Sequence, residues 1–306
     1  MTINEMQLSP HFSGHETFPL RQMWLKKAIE QSDKDWIISK ETFSNDDAIA
    51  TFGVGRNMVS SIKHWALACE VMVDDPSKKH FVLDPVAREI YRDGGFDPYS
   101  ENPTTAWYAH WCLAGRASRS TTWFWLFNVL NVQTFTRDEI LPMLTKFAQS
   151  LSPGKKLSQA TLGRDLETCV RGYAPRSAAT PIEEAAEPML AELGLMQEVR
   201  KGVFSFRRGP KSSLSNAFFA WALIDYWDRY HAGETSLTFE SIAYAAGSPG
   251  RVFKLDEEST AERLFVLADL TDGKLKWSET SGLRQVYRRD FDAMRFKKSM
   301  MRKTYE

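Results

Sequence analysis

Along most of this chain apolar residues return every three or four positions, the spacing of amphipathic helices, and they alternate only in a few short runs. Pro19 suits a first helical position, and Leu20, Met23, Trp24, Lys27 and Ala28 follow at helical spacing toward Ser32. The apolar run Trp36-Ile37-Ile38 precedes a short helix, Asp46 to Phe52, a break at Gly53-Val54-Gly55, and a longer helix from Arg56 to about Cys69. Phe81-Val82-Leu83 reads as a strand, and Asp84-Pro85 caps a helix that runs to Tyr91. Helix, glycine turn, helix and strand in that order predict a winged helix-turn-helix.

Between Pro103 and Leu130 the pattern changes to a pair of aromatic helices, carrying Trp107, Tyr108, Trp111, Trp123, Trp125 and Phe127. Aromatic stripes at this spacing predict a packed structural hub. Thr136 with Glu139 forms a capping box for a helix to about Leu151, and a further helix covers Gln159 to Arg171. Thr180-Pro181-Ile182-Glu183 reads as a second capping box, for a helix ending at Gly194. Leu195 to Val199 and Val203 to Phe206 then alternate as a hairpin around Lys201-Gly202. The helix Asn216 to Arg229 is too apolar to be exposed. Thr238 caps a short helix, Thr260 to Leu270 is helical, and a last hairpin turns at Ser281-Gly282.

The expected fold is mainly α with small β-hairpins, in tandem winged-helix-like modules around an aromatic helical hub. The expected divisions are 1–98, a first module; 99–135, the hub; 136–212, a second module; and 213–306, a third with a basic tail. A chain of 306 residues with 43% hydrophobic content is long enough for several such units. No internal sequence repeat is strong enough to mark duplication.

Formal net charge is zero, which argues against coating nucleic acid by bulk charge but leaves room for local basic faces. One such face is the stretch from Arg284 to Lys303. On the helix after Gly55, Arg56, Asn57, Ser60, Lys63 and His64 fall outside the apolar stripe of Val59, Ile62 and Ala66. Such donor-rich side chains suit phosphates and base edges; an ordinary solvated face used for protein contacts has the same pattern. Arg207, Arg208 and Lys211 near the second hairpin, with Arg288 and Arg289 in the third, extend the expected DNA-binding set. Cys69, Cys112 and Cys169 lie far apart with no zinc-ligand spacing, and read as reduced thiols of a cytoplasmic protein. No signal peptide and no membrane-spanning stretch is expected.

No nuclease, P-loop or nucleophile-elbow pattern is present. The most unusual local cluster is Phe12-Ser13-Gly14-His15-Glu16-Thr17-Phe18-Pro19-Leu20-Arg21. Adjacent His15 and Glu16 are candidate catalytic residues, able to ligate a metal or move a proton. The competing reading is a buried capping knot, with Arg21 paired to Glu16. Asp256-Glu257-Glu258 complements a helix dipole.

The stretch from Phe12 to Leu25 with Lys26-Lys27 resembles the start of the bacterial domain-of-unknown-function family 4007. So do Trp107 to Leu113 with His110-Trp111, Phe127-Asn128, and Ser248-Pro249-Gly250-Arg251-Val252-Phe253-Lys254-Leu255. The likeness spans about residues 12 to 290. Members accompany DNA sulfur-modification genes, and one branch is the B component of Ssp-type single-strand phosphorothioation systems, to which nicking is attributed. The resemblance implies a protein acting on double-stranded DNA beside a cysteine desulfurase and an ATP-dependent sulfur-transfer enzyme. A nicking role would call for Mg or Mn. The alternative is a non-enzymatic DNA-binding regulator, or an adaptor that docks the sulfur-transfer enzymes. No catalytic residue is carried over, because the likeness is a pattern of identities and not a catalytic motif.

Overall fold

The N-terminal cluster does not lead straight into a helix, because Glu16, Thr17 and Met23 all adopt left-handed backbone angles. The first helix, α1 (Trp24–Ile29), therefore starts five residues later than Pro19 suggests, and Pro19 and Leu20 are buried ahead of it. The computed structural model describes residues 8–77, 79–154, 157–175, 188–280 and 282–306.

Three times the chain then runs strand, helices, hairpin. The first unit is β1 (Ile37–Ser39), α2 (Ala48–Phe52), α3 (Arg56–Ala68), β2 (Met72–Asp74) and β3 (His80–Leu83), with sheet order β1-β3-β2. Helix α4 (Pro85–Tyr91) follows, capped by the Asp84 carboxylate on the amides of Val86 and Ala87. The hub is α5 (Pro103–His110) and α6 (Thr121–Phe124), each prolonged by a widened π-helical segment, Trp111–Arg116 and Trp125–Val129.

The second unit is β4 (Thr134–Thr136), α7 (Arg137–Leu151), α8 (Gln159–Tyr173), a 3-10 turn at Met189–Leu193, β5 (Met196–Arg200) and β6 (Val203–Phe206), ordered β4-β6-β5. Thr136 and Glu139 form the expected capping box, and Gly194 is left-handed after the 3-10 turn. The second capping box, Thr180 to Glu183, lies outside the described residues.

Helix α9 (Asn216–Tyr230) leads to the third unit: β7 (Ser236–Thr238), α10 (Phe239–Tyr244), α11 (Pro249–Val252), α12 (Glu257–Phe265), α13 (Leu267–Leu270), β8 (Leu275–Thr280) and β9 (Leu283–Arg288), ordered β7-β9-β8. The basic tail is a helix, α14 (Ala293–Tyr305), packed on α9 through Phe296, Met300 and Met301.

Each sheet repeats one packing device. A buried residue in the middle of the first strand faces a buried residue of the last: Ile38 opposite Phe81, Phe135 opposite Phe204, and Leu237 opposite Val286. Such cross-strand pairs stabilise small sheets and fix their register. One cluster of buried side chains runs from Phe12 to Met301, with the hub tryptophans inside it. The three cysteines are buried free thiols, and among the described residues no helix is long and apolar enough to cross a membrane.

Candidate nucleic-acid interface

Glycine 55 opens α3, and its exposed side begins with Arg56. That guanidinium is turned back on the chain. It donates to the carbonyls of Ser44 (3.1 Å) and Asn45 (3.2 Å) and lies 3.6 Å from the Asp46 carboxylate. Asn57 is exposed, and Ser60 and Lys63 are half-buried. Among the described residues the Lys63 ammonium has no ion-pair partner. His64 does not belong to this outer face: it is 6% exposed. Its ring lies against Gly14, where an added Cβ would stand 2.7 Å from Nδ1, and it stacks on His11 with centroids 5.6 Å apart. Burial first, then His15, His11 and Arg119, hold His64 well below the usual histidine range. The expectation of an outward, donor-bearing His64 is thus corrected. The curved Ser13–Thr17 segment covers that turn of the helix, which sequence periodicity does not reveal.

His15 is buried as well, and it turns away from its neighbour Glu16, whose side chain is exposed. The Thr17 amide donates to His15 Nδ1 (3.0 Å), so the ring proton sits on Nε2, which donates to Asp165 Oδ1 of α8 at 2.7 Å. Both ring nitrogens are therefore engaged. Ser61 donates its hydroxyl to the His15 carbonyl (2.9 Å), tying the knot to α3. Asp165 Oδ2 is buried with no hydrogen-bond partner among the described residues. His15 is thus buried in a knot, as the second reading of this cluster expects, but the knot caps no helix and the carboxylate partner is Asp165. Arg21 lies over the Phe18 and Trp24 rings.

The second-unit basic residues divide. Arg207 donates Nε to Gln197 Oε1 (2.7 Å), and Arg208 is exposed without hydrogen bond or ion pair among the described residues. Lys211 does not reach solvent: it is 8% exposed, with its ammonium donating to the carbonyls of Arg207 (3.1 Å) and Gly209 (3.0 Å). Desolvation pushes it down to about 8. Its role here is to tie the 207–211 loop, a correction to its expected exposure. In the third unit Arg288 is paired with Asp228 at 2.6 Å, while Arg289 is exposed. Lys297 of the basic tail is held by Asp225 (3.1 Å) and Asp228 (3.0 Å). Of the expected DNA-binding set, Asn57, Ser60, Lys63, Arg207, Arg208 and Arg289 remain open to solvent without an ion pair among the described residues, Arg207 being tied to the neutral Gln197.

A family model described as a protein of unknown function (DUF4007) matches residues 12–305. The chain belongs to the DUF4007 family. It is similar to two solved structures, a magnesium ion-bound SspB and an SspB without that description, with TM-scores of 0.86 and 0.85. Each is 26% identical and covers 97% of this chain and 88% of the other. No curated protein matches.

In this DUF4007 chain the Ser248–Leu255 stretch is a junction. Ser248 caps α11 by accepting from Arg251 N–H. A Cβ on Gly250 would stand 2.6 Å from Cα of Ala243. Arg251 donates Nε to the Asn128 carbonyl (3.0 Å) and also bonds Asn131. The Val252 carbonyl accepts from His110 Nε2 (3.0 Å), whose other nitrogen meets the Tyr173 hydroxyl at 2.7 Å; burial takes His110 down to about 3. Lys254, 1% exposed, donates to the Phe127 carbonyl at 2.7 Å and lies 4.1 Å over the Phe206 ring, with no carboxylate paired to it among the described residues.

Sequence reasoning misses Asp165, Arg137, Arg164 and Arg171, which the apolar pattern marks only as parts of helices. The signal was available for the arginines: Arg164 and Arg171 are seven apart on α8, hence on one face. For Asp165 there was none, because its partner is 150 residues away.

Proposed function

We propose that this protein is the DNA-engaging, SspB-type component of a bacterial DNA phosphorothioation system. The observation that carries this reading is likeness to SspB over 97% of the chain at a TM-score of 0.86. The three strand–helices–hairpin units support it further. Their sheet order, first strand beside last, fits the winged helix-turn-helix, whose second helix and hairpin are suited to lie along duplex DNA. On this reading the modules are residues 1–98, 136–212 and 213–306 around the hub at 99–135. The partners are double-stranded DNA, a cysteine desulfurase and an ATP-dependent sulfur-transfer enzyme, and the activity contributed is a nick that gives those enzymes access to a phosphate.

One SspB structure is magnesium ion-bound. Among the described residues of this chain no three His, Cys, Asp or Glu side chains are grouped to hold a metal ion. His15, with both nitrogens engaged, and the outward Glu16 do not supply such a site. His15 and Glu16 therefore do not form a site for Mg or Mn, and no step is derived through either. The engagement of both His15 nitrogens in a structural knot favours a second reading: a non-enzymatic adaptor that holds DNA and docks the sulfur-transfer enzymes.

Supercoiled plasmid incubated with the protein, alone and with its partners, in Mg, Mn or chelator, separates the two. Relaxed circles support nicking. Salt-sensitive duplex binding without relaxation supports the adaptor, since phosphate contacts weaken steeply with salt. Neither binding nor relaxation removes the proposal.

A further inference from the structure

We propose that the phosphate backbone of duplex DNA is held by the second unit, in the cleft between α8 and the β5–β6 hairpin, and not by α3 of the first unit. The inference rests on the DNA-engaging reading above.

The cleft has a volume of about 710 Å³ and is lined by Arg137 from the start of α7, Arg171 from α8, and Arg200 and Lys201 from the hairpin. Two carboxylates share it, and both are committed locally. Glu167 pairs with Arg137 at 2.9 Å, and Glu198 accepts from the Gly202 amide at 2.6 Å. The side chains of Arg171, Arg200 and Lys201 make no hydrogen bond or ion pair among the described residues, though Arg200 lies near enough to Glu139 to add to the lowering of its carboxyl by the Thr136 hydrogen bonds. Arg164 stands exposed two turns before Arg171 on the same helix face and continues the positive track out of the cleft. Cations from a helix and a hairpin converging on one concave surface focus a positive potential where a polyanion can lie.

The other two units lack this arrangement. On α3 Arg56 is clasped by Ser44, Asn45 and Asp46, leaving Lys63, and the β2–β3 hairpin adds among the described residues only Lys79, beside Asp74 and Asp75. In the third unit α12 opens with Asp256, Glu257 and Glu258. Its Arg263 is turned inward to Asn216 (2.8 Å) and the Lys211 carbonyl (2.9 Å). The hairpin cations Arg284 and Arg288 are paired with Glu240 and Asp228; Lys276 of β8 is exposed, but α12, whose one cation is the inward Arg263, sets no free cation beside it. Among the described residues the second unit is where helix and hairpin both present unpaired cations to one cleft.

The test is fluorescence anisotropy with a labelled 20-base-pair duplex over a sodium chloride series. It compares the full chain, Arg171→Ala/Arg200→Ala/Lys201→Ala, the charge-keeping Arg171→Lys/Arg200→Lys/Lys201→Arg, and Asn57→Ala/Lys63→Ala. The triple alanine variant is expected to bind at least about tenfold more weakly, with a salt slope lower by roughly one per cation removed. The charge-keeping and first-unit variants are expected to retain both. A triple alanine variant that keeps affinity and slope overturns the cleft while leaving the DNA reading intact. So does an equal or larger loss in the first-unit variant, or a charge-keeping variant that falls with the alanines. A full chain that does not bind the duplex at all overturns both readings.

Discussion

His15 Nε2 and Asp165 Oδ1 meet at 2.7 Å inside the protein, joining the segment ahead of the first helix to the second helix of the middle unit. The Thr17 amide fixes the tautomer from the other side of the ring. The two ends of this contact are not equivalent. Replacing His15 by Ala leaves a buried carboxylate with both oxygens unmatched, and should cost about 3 to 5 kcal/mol. Asp165→Asn keeps an oxygen able to accept from Nε2 and should cost about 1 to 2 kcal/mol. Urea unfolding of both variants checks the order; equal losses would contradict it.

Lys254 has a buried ammonium with a carbonyl and two aromatic rings for company. Desolvation, reinforced by Arg251 and Arg208, pushes it well below the usual 10.5. The unfolded chain therefore binds the proton that the folded chain sheds, and stability rises with pH toward 10.5 through this group. Measured against Lys254→Met, the wild type should gain stability between pH 8 and 10 at up to about 1.4 kcal/mol per unit. A pH-independent difference between the two would contradict the assignment.

Asp225 behaves oppositely. Burial alone would raise its carboxyl, but Arg116, then Lys297 and Arg229, outweigh burial and hold it far below the ordinary 3.8. The Arg116 guanidinium grips both oxygens, at 2.8 and 2.9 Å, and also reaches Glu70 at 2.7 Å. Asp225→Asn should cost about 3 kcal/mol near neutral pH. Since the folded value is the lower one, this margin is complete above pH 3.8 and is lost as pH falls below it. Thermal unfolding of both proteins from pH 7 to pH 2 would show the curves converging in acid.

Gly250 packs where no side chain fits. The nearest atoms to an added Cβ are backbone atoms of Ala243 and Ile242, at 2.6 to 2.9 Å, and backbone does not yield as a flexible side chain does. Gly250→Ala should cost about 3 kcal/mol by forcing α10 and α11 apart. Circular dichroism with urea titration measures it, and a loss below about 0.5 kcal/mol, the range of ordinary surface changes, would contradict the packing argument.

The sequence by itself determined what is local. Thr136 with Glu139, Asp84 ahead of Pro85, and the apolar spacing of α3 and α9 specify caps and helix faces through contacts three or four residues apart. The second and third hairpins follow from alternation, whereas β2 of the first is disclosed only by its pairing with β3. The three-residue strands β1, β4 and β7 carry too few positions to show a period, and only their distant partners make them strands. The tertiary structure alone decided which polar groups face water. Arg56 is clasped by carbonyls of a preceding loop, His64 is roofed by Gly14, and Lys211 is drawn onto backbone oxygens. Charge and donor count are properties of a residue, whereas availability to a partner depends on which atoms far along the chain reach it first.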